Sequence, residues 1–135
     1  MTATTILIAE DNAVNRELLR GMLEAGDYRV VEARNGQEAI TKIEEAEPDL
    51  VLLDINMPVM DGFAVIRWIR EHPKYRKLPV VAVTAYAMKE DRERMLNAGF
   101  NGYVAKPIEL AMLFKEIARF TKSCNTAQSS EASSN

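Results

Sequence analysis

The chain has 135 residues, a length that fits one domain. Hydrophobic residues make up 47% and charged residues 27%, which is typical of a folded globular protein and excludes a fibrous or wholly disordered chain. Seventeen Lys and Arg against 20 Asp and Glu give a net charge of −3 without any basic block, which argues against sequence-independent binding to nucleic acid.

Five short apolar runs predict five β-strands. Four of them are continuous rather than alternating and rich in branched residues, as in parallel strands that helices cover on both faces. The second run is interrupted by Arg29 and Glu32, so we expect it to lie nearest an edge of the sheet. In chain order the runs span residues 6–9, 29–33, 50–53, 80–83 and 102–105.

Segments with helical spacing separate these runs. Gly26 predicts the end of the first helix, and Asn35 with Glu38 three residues later predicts the start of the second. Asp61 caps the third helix by the same reasoning, and Pro107 predicts the opening of the last. The apolar stripes are Val14, Leu18, Leu19, Met22 and Leu23; Ala39, Ile40 and Ile43; Phe63, Ile66 and Ile69; Met88, Met95 and Leu96; and Leu110, Leu113, Phe114, Ile117 and Phe120.

Strand and helix therefore alternate five times, which predicts an α/β fold with a five-stranded, doubly wound parallel sheet in the order 2-1-3-4-5. We assign residues 1–120 to this domain. Residues 121–135, rich in Ser, Ala and Asn, are expected to form a disordered tail that carries the single cysteine, Cys124. One cysteine without a Cys/His cluster excludes an internal disulfide and a zinc site.

The chain shows neither a signal peptide at its start nor an apolar run near the ~20 residues that cross a bilayer. We therefore expect a cytoplasmic protein that does not bind membranes. The initial Met1 and the tail favour a free-standing protein over an excised piece of a larger one.

Polar residues follow the strands where each one ends. They are Glu10 and Asp11 after the first strand, Asp54 after the third, Thr84 after the fourth and Lys106 after the fifth. Ligands of open α/β sheets bind at the carboxyl ends of the strands, beside the point where strand order reverses. The first and third strands flank that point, so the three acids are expected to share one cleft.

Carboxylates ~4 Å apart repel by about 4 kcal/mol at an effective dielectric of 20, so such a cleft needs a proton or a cation. Oxygen ligands without His or Cys select Mg²⁺ or Mn²⁺, and an incomplete cage suits Mg²⁺, which often completes its shell with a phosphate. The Thr84 hydroxyl and the Lys106 ammonium are partners for phosphate oxygens. Together these residues predict phosphoryl transfer.

Taken singly, each of these residues has a plainer explanation as a cap, a turn or a solvated charge. Their coincidence at the correct strand ends favours the site. We expect Asn35 and Asp61 to be helix caps only, His72 to have no catalytic role, and the methionines to fill the core.

Four motifs together resemble the receiver domain of two-component signalling, with all marker positions in order between about residues 5 and 120. They are IAEDN at 8–12, LDINMPVMDG at 53–62, VTA at 83–85 and YVAKP at 103–107. The NAVNR stretch at 12–16 resembles receivers of hybrid histidine kinases and some stand-alone phosphorelay or cell-cycle receivers. The resemblance implies the flavodoxin-like (βα)5 fold.

The resemblance also implies a role for each residue. Asp54 would accept the phosphoryl group, and Glu10, Asp11, Asp54 and the backbone carbonyl of Asn56 would hold Mg²⁺, which Mn²⁺ can replace. Thr84 and Lys106 would bind the phosphoryl oxygens, and the Lys106–Pro107 peptide would be cis. Tyr103 would be the aromatic ring that changes rotamer with Thr84.

The implied function is a phosphoryl-accepting switch that catalyses only its own phosphorylation and dephosphorylation. Its donor would be a histidine kinase or a histidine phosphotransfer protein. Output would pass through the face formed by the fourth helix, fifth strand and fifth helix, at residues 86–93 and 109–114, or through onward phosphorelay. We expect a monomer, with a dimer as an option on phosphorylation, and no nucleic-acid partner.

The sequence leaves four alternatives to this function open. An excised receiver of a hybrid kinase would use the same chemistry. A flavodoxin-like cofactor binder would need a hydroxyl- and glycine-rich loop where Glu10 and Asp11 stand. A Mg²⁺-dependent phosphatase of the haloacid-dehalogenase type would need an Asp at position 56, which is Asn56 here. An interaction module with an inactive site would not need every reactive position filled.

Overall fold

The computed structural model describes residues 4–57, 59–85 and 89–121. Strands and helices alternate in these residues, as predicted. The strands are β1 (Thr5–Ala9), β2 (Arg29–Ala33), β3 (Leu50–Asp54), β4 (Val80–Thr84) and β5 (Gly102–Ala105). The helices are α1 (Ala13–Ala25), α2 (Gly36–Ala46), α3 (Gly62–Glu71), α4 (Lys89–Ala98) and α5 (Leu110–Thr121).

The strands form one parallel sheet in the order β2-β1-β3-β4-β5, which confirms the predicted order and the edge position of β2. Ala9 is in register with Leu53, Asp54 with Val83, and Thr84 with Ala105. The carboxyl ends of β1, β3, β4 and β5 therefore meet at one edge of the sheet. The polar residues that follow them are brought together by this register.

Each face of the sheet has its own hydrophobic core, because alternate residues of a strand point to opposite faces. Leu7, Val51 and Leu53 pack with α2, α3 and Met95 of α4. The other face packs against α1 and α5, and its strand residues are Ile6, Ile8, Leu50, Leu52, Val81 and Val83. The strands β1, β3 and β4 are buried on both sides, which explains their continuous apolar runs.

Three helices begin at polar caps. The side-chain oxygens of Asn12, Asn35 and Asp61 accept backbone N–H groups of the first helical turn at 2.9, 2.8 and 3.0 Å. The predicted caps at Asn35 and Asp61 and the predicted end of α1 at Gly26 are thus confirmed. Glu38 accepts the Arg34 N–H at 2.7 Å, one residue before the cap.

Helix α1 differs from its prediction. Leu19 and Leu23 are buried, but Val14 is 72% and Leu18 57% exposed. Residue 18 lies about 100° around the helix from residue 19, so the two side chains point in different directions. The regular spacing correctly predicted a helix, but two of its five stripe residues face outward.

Helix α5 starts at Leu110, three residues after Pro107, and continues through Thr121, one residue beyond the predicted domain end. Leu96 of α4 and Leu110 of α5 are 50% and 45% exposed, although both were placed in apolar stripes. Within the described ranges, no helix combines the length and apolar character that crossing a membrane requires. The predicted tail at 122–135 with Cys124, residues 86–88 of the predicted output face, and Pro58 lie outside the described residues.

Candidate functional site

The three acids predicted to share a cleft do so. Glu10, Asp11 and Asp54 each offer a carboxylate oxygen, and these oxygens all lie within 4.8 Å of one another. Glu10 is 1% and Asp54 3% exposed, whereas Asp11 is exposed to solvent. The cluster is therefore a shallow pocket with two buried walls and one open side.

Asp54 is the last residue of β3 and points out of the carboxyl end of the sheet. Its Oδ1 accepts the backbone N–H of Asn56 at 3.0 Å, and its Oδ2 accepts from Lys106 Nζ at 3.2 Å. Gly62, at the end of this loop, lies directly against the backbone of Ile55. A Cβ atom at position 62 would be only 2.8 Å from Ile55 Cα. The loop after β3 thus packs on its own strand end and fixes the direction of the Asp54 carboxylate.

Glu10 is held from the other side. Its Oε2 accepts the backbone N–H of Asn12 at 3.2 Å. Its Oε1 lies 3.3 Å from Lys106 Nζ, in a direction that does not form a hydrogen bond, and has no hydrogen-bond partner among the described residues. Burial raises the pKa of Glu10, and the negative charge of Asp54 raises it further. The ionised Glu10 carboxylate therefore lowers the free energy of unfolding.

Lys106 follows β5 and reaches both buried acids. Burial by itself lowers the pKa of Lys106, but Asp54 and Glu10 outweigh that effect, and the net shift is upward. The ammonium is thus held in its charged form. The Lys106–Pro107 peptide is cis, as the resemblance implied.

One ammonium faces three carboxylates, so the cluster remains short of positive charge. Its ligand atoms are all oxygens, and one of them, Glu10 Oε1, is buried without a hydrogen bond. A hard divalent cation such as Mg²⁺ fits this donor set, whereas zinc and copper prefer nitrogen or sulfur ligands. The residues present therefore fit a magnesium ion.

Thr84 and Tyr103 occupy neighbouring strands beside the cluster. Thr84 ends β4 and is 2% exposed, and its carbonyl oxygen accepts the Lys106 N–H at 2.8 Å. Tyr103 in β5 is half-buried, and its hydroxyl accepts from Arg92 Nη1 at 3.5 Å. The Arg92 guanidinium also lies 5.7 Å from the centre of the Tyr103 ring. Tyr103 therefore joins the core beneath the site to the exposed surface of α4.

The surface outside Tyr103 is a groove of ≈ 580 Å³ between α4, β5 and α5. Leu96 and Met112 give it apolar walls, and both are half-exposed. Charged residues stand at its rim, among them Arg92, Glu109 and Arg119. A groove with an apolar floor and a charged rim is the usual composition of a protein-binding surface.

Two features of the site were missed by sequence reasoning. Arg16 of α1 donates to the carbonyl oxygen of Glu10, and Val59, in the loop after β3, is 85% exposed with φ at 71°. A β-branched residue rarely adopts a positive φ, so Val59 is a strained position beside the site. Neither periodicity nor residue type marks these positions in advance.

The single histidine lies apart from the cluster, as expected. His72 caps the C-terminal end of α3, and its ring contacts Trp68 and Tyr75 at centroid distances of 5.1 and 4.7 Å. Met95 and Met57 are buried in the core, but Met112 is 55% exposed, so the expectation that the methionines fill the core is wrong for Met112. Neither buried sulfur belongs to the acidic cluster.

The fold and this cluster define a class of protein. The family model of the response regulator receiver domain matches residues 6–118, so the chain belongs to that family. It is a receiver domain of two-component signalling, which confirms the resemblance, and the five-stranded flavodoxin-like fold is confirmed with it. The phosphatase and cofactor-binding alternatives are not favoured.

Among curated relatives, the chain is 39% identical over 116 residues to the polar-differentiation response regulator DivK of Brucella anthropi, which covers 86% of this chain and 94% of that protein. Among solved structures, the receiver domain of a Pseudomonas aeruginosa sensor histidine kinase, with a magnesium ion coordinated in its active-site cleft, is 37% identical with a TM-score of 0.82. That match covers 90% of this chain and 99% of the other.

A second solved structure shows a receiver with its partner. The receiver domain of the Saccharomyces cerevisiae response regulator Ssk1, in complex with the histidine phosphotransfer protein Ypd1, is 30% identical to this chain with a TM-score of 0.81. The match covers 87% of this chain and 88% of the other.

Proposed function

We propose that Asp54 accepts a phosphoryl group from a phosphohistidine of a partner protein, in a reaction that requires Mg²⁺. The observation that carries the proposal is the environment of Asp54. Its carboxylate is buried, directed by Asn56 N–H and Lys106, and next to a second buried carboxylate with an unbonded oxygen. A buried carboxylate with only a structural role would have hydrogen-bond partners for its oxygens.

Transfer of the phosphoryl group is a substitution at phosphorus. A carboxylate oxygen of Asp54 forms a bond to phosphorus while the phosphorus–nitrogen bond of the phosphohistidine breaks. The electron pair of that bond returns to the imidazole nitrogen, which takes up a proton. Hydrolysis later breaks the phosphorus–oxygen bond with water, releasing inorganic phosphate and restoring the Asp54 carboxylate.

Glu10, Asp11, Asp54 and the backbone carbonyl of Asn56 would hold the ion. When bound, Mg²⁺ supplies positive charge that offsets the negative charge of the phosphoryl oxygens and of the acids. Lys106 binds one phosphoryl oxygen through its ammonium, and the Thr84 hydroxyl donates to another. Catalysis by these residues consists of positioning and electrostatic stabilisation.

The donor is a histidine kinase or a histidine phosphotransfer protein, as in the complex of Ssk1 with Ypd1. Support comes from the apolar rim of the site. Val14 and Leu18 of α1 are exposed on one side and Val59 on the other. A cavity of ≈ 140 Å³ between Leu18 and Ile108 is lined also by Glu10 and Lys106. A helical donor packed on this rim would deliver its imidazole to Asp54.

The signal leaves through Thr84 and Tyr103. As Thr84 moves to the phosphoryl group, the Tyr103 ring fills the space and withdraws from Arg92. Reversing a 1:99 equilibrium takes about 5.5 kcal/mol. Charge-assisted hydrogen bonds from Thr84 and Lys106 contribute about 1.5–3 kcal/mol each, enough to reach that value. Output is then through a protein bound at the groove of α4, β5 and α5, or through onward phosphorelay.

The test is incubation with acetyl phosphate and Mg²⁺, followed by intact-mass measurement. The wild type should gain one phosphoryl group only when Mg²⁺ is present. Asp54→Asn should gain none, while Asp61→Asn, which alters a cap in the same loop, should label as the wild type does. Labelling of Asp54→Asn, or labelling independent of Mg²⁺, would contradict the proposal.

Thr84→Ala separates the switch from the chemistry. We expect it to take up phosphate but to lose the change in chemical shift at Tyr103 and in α4 that phosphorylation causes in the wild type. Backbone NMR spectra with and without beryllofluoride measure this directly. An unchanged response in Thr84→Ala would show that the signal follows another route.

A further inference from the structure

We propose that Arg16 is a positioning residue for the metal-binding pair Glu10 and Asp11, acting through the two backbone carbonyl groups that its guanidinium holds. The inference rests on the proposed function, because it assumes that this pair binds Mg²⁺. Arg16 itself reaches no carboxylate of the cluster in the structure.

The contacts of Arg16 connect three elements. Its Nη1 donates to the carbonyl oxygen of Glu10 at 2.9 Å and lies 3.5 Å from that of Asp11. Its Nε donates to Glu32 Oε1 at 3.1 Å. One side chain from α1 thus ties the turn after β1 to the outer strand β2. The side chain is only 15% exposed, so water competes weakly for these bonds.

The two carbonyl groups that Arg16 contacts flank the Asp11 side chain. Glu10 is already fixed by burial and by the Asn12 N–H, but the Asp11 side chain is exposed and makes no hydrogen bond or ion pair that the structure records. The orientation of the peptide groups on either side of Asp11 sets the direction of its Cα–Cβ bond. Arg16 therefore restricts where the most exposed of the three ligands can place its carboxylate.

Glu32 keeps the guanidinium in place. Its second oxygen, Oε2, is bound by Arg20, and Arg20 also pairs with Glu24 at 3.0 Å. Arg16 and Arg20 thus lie one turn apart on α1 and share Glu32, but only Arg16 contacts the turn that carries the acids. Arg20 is a matched control for any change that comes from Glu32 or from the stability of α1.

The sign of the effect distinguishes positioning from charge. A cation near a metal site repels the metal, so removal of the Arg16 charge alone would tighten Mg²⁺ binding. Loss of positioning would weaken it. Removing the groups that orient metal ligands typically costs 10–100-fold in affinity.

The experiment is isothermal titration calorimetry of Mg²⁺ with the wild type, Arg16→Met, Arg20→Met and Arg16→Lys. We expect the Kd to rise about tenfold in Arg16→Met and to stay within about twofold in Arg20→Met. Arg16→Lys cannot bind Glu32 and the carbonyl groups at once, and we expect it to show an intermediate Kd. Half-maximal labelling by acetyl phosphate should require about tenfold more Mg²⁺ in Arg16→Met than in the wild type.

An unchanged or lower Kd in Arg16→Met would overturn the inference, as would an equal rise in Arg20→Met. If Arg16→Met does not fold, the comparison of Arg16→Lys with Arg20→Met decides in the same way. A wild type that binds no Mg²⁺ would overturn the proposed function together with this inference. A wild type that binds it with all variants alike would overturn this inference alone.

Discussion

The carboxyl edge of the sheet, where the parallel strands end, and the amino edge, where they begin, differ in how their charged side chains are paired. At the carboxyl edge, Lys106 contacts two of the three clustered carboxylates, and one buried oxygen of Glu10 has no hydrogen bond. At the amino edge, Arg70 has no acidic partner within residues 4–57, 59–85 and 89–121, and its Nε, Nη1 and Nη2 all donate. Its acceptors are the carbonyl oxygens of Gly99, Arg76 and Leu78 at 2.8–2.9 Å and the side-chain oxygen of Asn101 at 2.7 Å.

The difference shows how the domain separates function from stability. The carboxyl edge retains unpaired negative charge, which an incoming cation and phosphoryl group can use. The amino edge joins the end of α3 to the segments before β4 and β5 through a guanidinium that makes four hydrogen bonds.

The largest effect is expected at the amino edge. Arg70→Met leaves the carbonyl groups of Gly99 and Leu78 without their donor, and we expect a loss of about 3 kcal/mol in the free energy of unfolding. Urea denaturation measures it, with the exposed Arg67 of the same helix, changed to Met, as control. The Mg²⁺ affinity of Arg70→Met should equal that of the wild type; a weaker affinity would show that the two edges are coupled.

A change at the carboxyl edge should act in the opposite direction. Glu10→Gln removes a buried charge from beside Asp54, and like charges ~5 Å apart repel by about 3 kcal/mol at an effective dielectric of 20. Lys106 offsets part of this, so we expect a gain of about 1 kcal/mol in the free energy of unfolding without Mg²⁺. Calorimetric unfolding and Mg²⁺ titration should show higher stability and weaker binding in the same variant.

The pH dependence of that gain sharpens the comparison. The folded-state pKa of Glu10 is raised, so the ionised carboxylate costs stability above that pKa, and the cost disappears as protonation sets in below it. The advantage of Glu10→Gln over the wild type should therefore be full at neutral pH and shrink towards pH 4.5. An advantage that stays constant with pH would mean that burial of charge is not its cause.

The smallest effect is expected at the start of α2. Arg34 lowers the pKa of Glu38 by a side-chain hydrogen bond and by its backbone N–H. A lowered folded-state pKa gives stability that is present above pH 4.5 and lost as the pH falls through the folded value. Glu38→Gln should cost ~0.5 kcal/mol at pH 7, because the pair is largely exposed, and less at pH 4. A cost independent of pH would assign the effect to capping alone.

Much of the fold could be predicted because local sequence and tertiary position agree. Val80–Thr84 is buried throughout, and its continuous apolar run predicted a strand covered on both faces. The functional residues followed from the same pattern, since Asp54 and Thr84 are the last residues of their strands. Once strand order was predicted, the meeting of these side chains was a consequence of parallel register.

The features that escaped prediction depend on tertiary contacts. The spacing of Val14 and Leu18 indicates a helical stripe, but only the position of α1 against the sheet edge determines that they are exposed. Arg16 resembles any surface arginine in the sequence, because its partners lie on β2 and in the turn after β1. Glu38 could bond to either of two backbone N–H groups, and the local geometry selected Arg34.

The position of His72 makes this chain convenient for spectroscopy. It is the only imidazole in the sequence, and it lies at the far end of α3, about 15 Å along the helix axis from Gly62. In a mixture with a phosphorylated donor, every histidine ring resonance except those of His72 would come from the donor. Loss of the phosphorus–nitrogen bond in the donor could then be followed in real time, in unlabelled samples, without overlap from other histidines of this chain.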